Sequence, residues 1–240
     1  MLKEHNVKVE LGKKVTAPEL IAAGYHEVVL ATGIIPRKLN IPGGDSVRVL
    51  NYLEVLRDKK PVGKQVAIVG GGGIGYDTAL YLTDGGHATW AKPDEFAKEW
   101  GFDLTVSTRA GLTEKSAEHK KSPRSVTMFK RSKGKFGSTL GKTTGWVHKI
   151  TLEERGVAQV SNVTYEKIDD QGLHYGLKGE TKVLPCDTVV VCAGQEPNRE
   201  LEAPLVAAGL NVHIIGGAKE AGELDAKRAI AEGAELGARL

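Results

Sequence analysis

The stretch Val66-Ala67-Ile68-Val69-Gly70-Gly71-Gly72-Gly73-Ile74-Gly75, continuing Tyr76-Asp77-Thr78-Ala79-Leu80, leaves few folds open to this chain. An apolar run of strand character enters glycines spaced G-x-G-x-x-G at Gly70, Gly72 and Gly75, and a helical pattern follows at once. At Gly70 the chain turns tightly, at Gly72 the backbone admits a pyrophosphate, and at Gly75 the helix packs close on the strand. The unpaired N–H groups of that helix and the positive end of its dipole then face the phosphates. Glycine clusters alone also make ordinary turns; the strand before and the helix behind make this one a dinucleotide-binding turn over Gly70, Gly71, Gly72, Gly73, Ile74 and Gly75.

Around it, strand-like runs recur at Val7–Val9, Val28–Leu30, Ser125–Phe129, Val157–Val160, Thr188–Cys192 and Val212–Ile215, with helical or turn segments between most of them. That alternation reads as α/β with a largely parallel sheet. Between Val163 and Leu184 the texture changes to short runs separated by Asp169-Asp170-Gln171-Gly172 and Lys178-Gly179-Glu180, the spacing of a small antiparallel meander. Pro61-Val62-Gly63-Lys64 reads as the way into the glycine-turn domain and Glu196-Pro197-Asn198-Arg199 as the way out. The expected organisation is therefore a Rossmann-like dinucleotide-binding domain over residues 61–204, inserted between residues 1–60 and 205–240 of a second domain. Residues 83–122 separate the first helix from the next strand and carry Trp90, Phe96, Trp100 and Phe102, which marks an ordered insertion. A helix starting near Thr143 or Thr144 is expected to turn Trp146, Val147 and Ile150 inward, and an alanine-rich helix is expected from Asp225 to Leu240, with Leu224, Ile230 and Leu236 apolar.

Composition removes several classes. A formal net charge of +3 is too small to argue for nucleic acid, no apolar run approaches membrane-spanning length, and residues 1–6 lack the apolar core of a signal peptide. The 2 cysteines, Cys186 and Cys192, supply neither a C-x-x-C pair nor a cluster site and fit buried thiols in a reducing cytoplasm. The histidines sit in unrelated contexts, so no catalytic side chain is assigned and no metal is expected. Gly141-Lys142-Thr143 fails as a phosphate loop, because the G-x-x-x-x-G-K-[ST] pattern would put its first glycine at Phe136.

The strand after the first helix normally carries the residue that reads the adenosine ribose: an acid for NAD, an arginine for the 2′-phosphate of NADP. Here the strand ends Lys130-Arg131-Ser132-Lys133, with Lys135 behind it. A guanidinium grips a phosphate bidentately, Ser132 adds a donor, and NADP(H) is the expected cofactor. Counting about 20 residues past the glycines would reach Asp94 and Glu95 and suggest NAD, but no apolar strand precedes them.

Val29-Leu30-Ala31-Thr32-Gly33-Ile34-Ile35-Pro36-Arg37, the glycine turn and Val191-Cys192-Ala193-Gly194-Gln195-Glu196-Pro197-Asn198-Arg199 resemble the paired-nucleotide flavoprotein reductases. More narrowly, Leu140-Gly141-Lys142-Thr143-Thr144-Gly145-Trp146-Val147-His148 and Glu223-Leu224-Asp225-Ala226-Lys227-Arg228-Ala229-Ile230 look like bacterial NADPH-dependent 2,4-dienoyl-CoA reductases and the related trimethylamine dehydrogenases. The resemblance implies a larger enzyme with an FMN and iron–sulfur barrel, an FAD domain and an NADPH domain inserted in it, acting in fatty acid β-oxidation. This chain would be its C-terminal portion, with the outer domain an incomplete FAD-type domain lacking its first glycine motif. It would be an NADPH-dependent oxidoreductase without the substrate-reducing barrel, passing hydride toward FAD. The implied NADPH contacts are Gly70–Gly75, Arg131, Lys133, Ala193 and Gly194; the implied FAD contacts are Val9, Thr32, Gly33, Gly217, Ala218, Asp225 and Ala226. Such families place an acid just after the strand ending Ile215-Gly216-Gly217, whereas this chain has Ala218-Lys219 and only then Glu220, which predicts weak FAD retention by the chain alone. Expected partners are the barrel portion or a second copy, with neither nucleic acid nor membrane. The alternative is a non-catalytic nucleotide-binding or assembly module that needs a partner chain; a stand-alone disulfide reductase lacks the required cysteine pair.

Overall fold

The computed structural model describes residues 4–85, 91–113, 121–222 and 225–240. The chain forms two compact units: Met1–Ile35 with Gln195–Leu240, and Pro36–Gly194.

The second unit carries a five-stranded sheet in the order β3-β10-β4-β5-β6. Its strands are β3 (Val49–Asn51), β4 (Gln65–Val69), β5 (Ser125–Lys130), β6 (Ala158–Ser161) and β10 (Thr188–Val191), all parallel to their neighbours. Val66–Val69, Met128, Phe129 and Val189–Val191 are buried, as expected of strands covered on both faces. From β4 the chain steps through α3 (Gly73–Thr83) to β5 and through α5 (Gly145–Glu154) to β6; the return to β10 lands on the opposite side of β4. The strand order therefore reverses between β4 and β10, where ligands of open α/β sheets bind, outside the strands' carboxyl ends. The expected meander is present as β7 (Val163–Asp169), β8 (Gly172–Leu177) and β9 (Glu180–Leu184), antiparallel throughout. Val163, Ile168 and Leu173 of the meander share a core with Val69, Phe129 and Val189 of the sheet.

Residues 36–60 belong to this unit, not to the outer one. The reason is β3, which hydrogen-bonds to β10, and α2 (Tyr52–Leu56), whose Tyr52 and Val55 are buried. Asn51 caps α2 by accepting from the Leu53 and Glu54 N–H groups, while Glu54 accepts from the Asn51 N–H at 2.8 Å. Within the insertion, α4 (Pro93–Trp100) brings Phe96 against Trp100 and Phe102 at ring-centroid distances of 6.1 and 6.0 Å. Trp90 lies outside the described residues.

Two further differences concern faces. In α5 Leu152 is the fully buried side chain, whereas Trp146 and Ile150 are 59% and 40% exposed. The helix turns its Gly145 and Leu152 inward because a Cβ at position 145 would lie 2.7 Å from Leu140 Cβ, so the chain enters the helix pressed on the Leu140 corner. Val7–Val9 forms no strand; both valines are about half exposed, at 48% and 52%.

The first unit holds β1 (Glu27–Leu30) parallel to β12 (Asn211–Ile214). Helix α1 (Ala17–Ala22) and helix α6 (Glu202–Ala207) place Ala17 and Leu205 in one core with Val28 and Leu30. β2 (Ile34–Pro36) pairs with β11 (Gln195–Pro197). Helix α7 (Ala226–Gly237) follows a 3-10 turn at Gly216–Ala218; it buries no side chain fully, and Ile230 is 70% exposed. Leu224 lies outside the described residues. Among the described residues no helix is long and apolar enough to cross a membrane.

Candidate functional site

Three expected elements meet at the strand-order reversal. Gly70 leaves β4 at φ +133°, and a Cβ there would lie 2.7 Å from the carbonyl of Cys192 and 2.9 Å from the Ala193 nitrogen. The glycine turn is therefore in direct contact with the end of β10. A Cβ at Gly75 would lie 2.1 Å from the Gly70 carbonyl oxygen, which is why the first turn of α3 can rest on the strand only as glycine. Gly72 and Gly73 differ: a Cβ at either meets nothing within 4 Å. Gly72 caps α3 without a side-chain hydrogen bond, so the N–H groups of Gly73, Ile74 and Gly75 in the first turn have no partner within the helix. These are the requirements of an anion seat formed by main chain alone.

Arg131, Ser132 and Lys133 follow β5, the strand adjacent to β4, and their side chains are exposed on the same carboxyl edge of the sheet. The Gly70 N–H donates to the Phe129 carbonyl at 2.8 Å, so the cationic loop begins two residues beyond a direct contact with the glycine turn. The Asn162 N–H donates to the Ser132 carbonyl at 3.3 Å, fastening the loop to the corner between β6 and β7. Tyr165 of β7 lies near Arg131: burial pushes its hydroxyl up from the usual phenol range, and the guanidinium pulls it partly back.

On the other flank Ala193 is half-buried and Gly194 exposed, the latter at φ +86° with the Arg37 guanidinium 2.9 Å from where its Cβ would be. The Arg37 N–H donates to the Gly194 carbonyl at 3.3 Å. Beyond them residues 36–45 and the ends of β3 and β10 enclose a cleft of about 790 Å³, lined by Arg37, Asn40, Asp45, Asn51, Glu54 and Val191 among others. Its wall is pinned to the meander, because the Ile168 N–H donates to the Pro42 carbonyl at 2.8 Å. Sequence reasoning missed Arg37, Tyr165 and this wall; only the topology brings them to the site.

The second group of expected residues lies in the first unit. Thr32 and Gly33 follow β1, and Gly217 and Ala218 follow its partner β12, so the four sit at neighbouring strand ends. Gly33 has φ +72° and open space where a Cβ would be, whereas Gly217 and Ala218 are buried. Thr32 Oγ1 donates to the Asn198 carbonyl, and Arg199 donates to the carbonyls of Ala218 and Lys219. Asp225 caps α7 by accepting from the Arg228 N–H at 2.7 Å, and Ala226 opens the helix. Val9 sits in an irregular exposed segment outside the sheet. The open Gly33 turn and the exposed α7 N-terminus fit the polar edge of a flavin; the expected carboxylate does not stand at position 218. The nearby acid Glu232 accepts from the Gly216 N–H at 2.6 Å, which holds its carboxyl below the usual range and engages it in the fold.

Neither cysteine is placed for chemistry. Both are buried; burial pushes the Cys192 thiol up to about 12, with Thr78 partly opposing, and raises Cys186 as well. Among the described residues no group of three or more His, Cys, Asp or Glu side chains is arranged to hold a metal ion.

Residues 1–220 match the pyridine nucleotide-disulphide oxidoreductase family. The chain belongs to that family. It is 27% identical over 224 residues to a metal reductase of Desulforamulus reducens, an alignment covering 88% of this chain and 31% of the relative. It is 40% identical over 86 residues to a cinnamate reductase of Clostridium sporogenes, covering 36% of this chain and 13% of the relative. Among solved structures, a 2-naphthoyl-CoA reductase in complex with 2-naphthoyl-CoA superposes with a TM-score of 0.72 at 22% identity, covering 100% of this chain and 30% of that one. The chain thus spans about a third of the length of relatives that it matches almost end to end. FAD and nicotinamide-nucleotide binding go with the family, and its Rossmann-like fold is the one observed.

Proposed function

We propose that this chain is the NADPH-binding, FAD-reducing portion of a larger flavoenzyme of the 2,4-dienoyl-CoA reductase type. The observation that carries the nucleotide part is the shape of the glycine turn: Gly70, Gly71 and Gly75 have no room for a Cβ, Gly72 and Gly73 face open space, and a helix N-terminus follows Gly72. The pyrophosphate would rest on the N–H groups at the start of α3. The 2′-phosphate would meet Arg131 and Lys133, with Ser132 as a further donor, and no carboxylate follows β5 to repel it. The nicotinamide end would run toward Ala193 and Gly194, across the strand-order reversal. FAD, when bound, supplies the hydride acceptor. Thr32, Gly33, Gly217 and Ala218, with the N-terminus of α7 at Asp225 and Ala226, would hold its polar edge.

The dienoyl-CoA assignment rests on the Leu140–His148 run and on residues 223–230 and is supported by the relative named for cinnamate, which also carries a conjugated carbon–carbon double bond. The barrel that would reduce such a substrate is the proposed partner. Titrating the purified chain with NADPH and NADH tests the nucleotide claim. Arg131→Ala should weaken NADPH by about 1–3 kcal/mol, roughly 5- to 150-fold, and leave NADH unchanged. Equal affinity of the native chain for both nucleotides would refute it. Ala218-Lys219, standing where such families place a flavin-binding acid, favours a second reading, a nucleotide-binding module without redox turnover. Adding FAD and then NADPH decides between them: bleaching of the flavin supports the reductase, a persistent yellow colour the module.

A further inference from the structure

Four cations cluster at positions 130–135, but they are not equivalent. The Lys130 ammonium donates to the Lys135 carbonyl at 2.7 Å, closing the loop on its own first residue. It also stands 5.0 Å from the centroid of the Phe136 ring. Phe136 is 7% exposed and presses on the glycine turn: a Cβ at Gly71 would lie 2.8 Å from two of its ring carbons and 3.1 Å from Lys130 Cδ. The Gly137 N–H points to the Gly71 carbonyl at 3.4 Å. Gly71 occupies a variable position of the G-x-G-x-x-G pattern, yet here Phe136 requires it to be glycine.

We propose that Lys130 is a positioning residue, a latch that holds residues 131–135 in the shape that selects a 2′-phosphorylated nucleotide; this rests on the NADPH reading above. Arg131, Lys133 and Lys135 are exposed like charges within five residues, and their repulsion favours a splayed loop. Lys130 opposes that by tying the far end of the loop to the strand, while Phe136 plugs it onto the glycine turn. Ordering is then complete before ligand arrives, which lowers the cost of binding. Lys130 itself has its ammonium turned to main chain and ring.

The test uses the full chain with Lys130→Met, Phe136→Leu and Lys130→Arg. Two quantities are read: the NADPH-to-NADH affinity ratio, and tryptic nicking after Arg131, Lys133 and Lys135 without nucleotide, mapped by mass spectrometry. Lys130→Met and Phe136→Leu should both speed nicking and lower the ratio by about tenfold. Phe136→Leu removes no charge, so its effect on the ratio cannot come from a lost phosphate contact. Lys130→Arg, which keeps a donor and a cation over the ring, should stay close to the native chain in both. Unchanged nicking in the first two variants overturns the latch. Faster nicking with an intact ratio overturns its role in selection. A native chain with no preference for NADPH, together with latch-dependent nicking, fails the nucleotide reading and the selective role with it, but leaves the loop geometry standing.

Discussion

Alanine at Gly72 and alanine at Gly75 should have opposite consequences, although the two sites are three residues apart. At Gly72 φ is −90° and a Cβ meets nothing within 4 Å, so the fold accepts the methyl group. Reduced freedom of the unfolded chain contributes about 0.4–1 kcal/mol, and loss of the glycine cap removes a comparable amount, leaving stability within about 1 kcal/mol of the native chain. The methyl then stands in the open space above the helix N-terminus, and nucleotide affinity should fall by at least about tenfold. At Gly75 the added Cβ lies 2.1 Å from the Gly70 carbonyl oxygen, so α3 must retreat by roughly 1 Å against buried neighbours that include Tyr76, Ala79 and Leu82. Overpacking of this kind costs about 1–3 kcal/mol, offset by up to about 1 kcal/mol from alanine's better helix propensity. A net loss of about 1–2 kcal/mol, the middle of that range, lowers Tm by about 2–8 °C for a chain of this size. Circular-dichroism melts and NADPH titrations of both variants are the assay. A folded Gly72→Ala variant that binds like the native chain, or a Gly75→Ala variant that melts with it, would contradict these opposite roles of the two glycines.

Three further outcomes follow from the packing and the ionisable groups. Ellman's reagent should find no fast-reacting thiol in the native chain and 2 in denaturant, since both cysteines are buried and their thiols raised. Leu152→Ala should cost about 2–5 kcal/mol and Ile150→Ala less than about 1 kcal/mol in denaturant melts; the reverse order would mean that α5 presents its other face. Asp169 is held below its ordinary 3.8 by hydrogen bonds from Lys167 and then His174. A carboxyl depressed on folding stabilises above its unfolded pKa and loses that contribution as pH falls. Asp169→Asn should therefore flatten the acid limb of the stability profile as pH falls through 3.8.

The glycine turn, β5 with its basic end and the meander were legible because local chemistry dictates them: glycines where a Cβ would collide, and turn residues between short alternating runs. β3 was not, because Val49-Leu50-Asn51 is too short to show a period and gains its identity only by pairing with β10. That pairing moves residues 36–60 into the nucleotide-binding unit. The face of α5 was misread because Trp146, Val147, Ile150 and Leu152 spread apolar character around the helix, and only the crowding at Gly145 and Leu140 fixes its rotation. Val7–Val9 has strand composition but no partner strand among the described residues. At the site, the sequence puts Lys130 and Arg131 side by side as equals; the fold turns the first to main chain and leaves the second exposed.

A phosphorylated dinucleotide is proposed to lie on the Gly70–Gly75 turn with its 2′-phosphate at the loop after β5. A crystal structure of the chain soaked in NADPH tests it most directly. The pyrophosphate is expected against the N–H groups of Gly73–Gly75 and the 2′-phosphate within hydrogen-bond reach of Arg131 and Lys133. An empty turn, or a nucleotide bound elsewhere with Arg131 and Lys133 still in solvent, would contradict it.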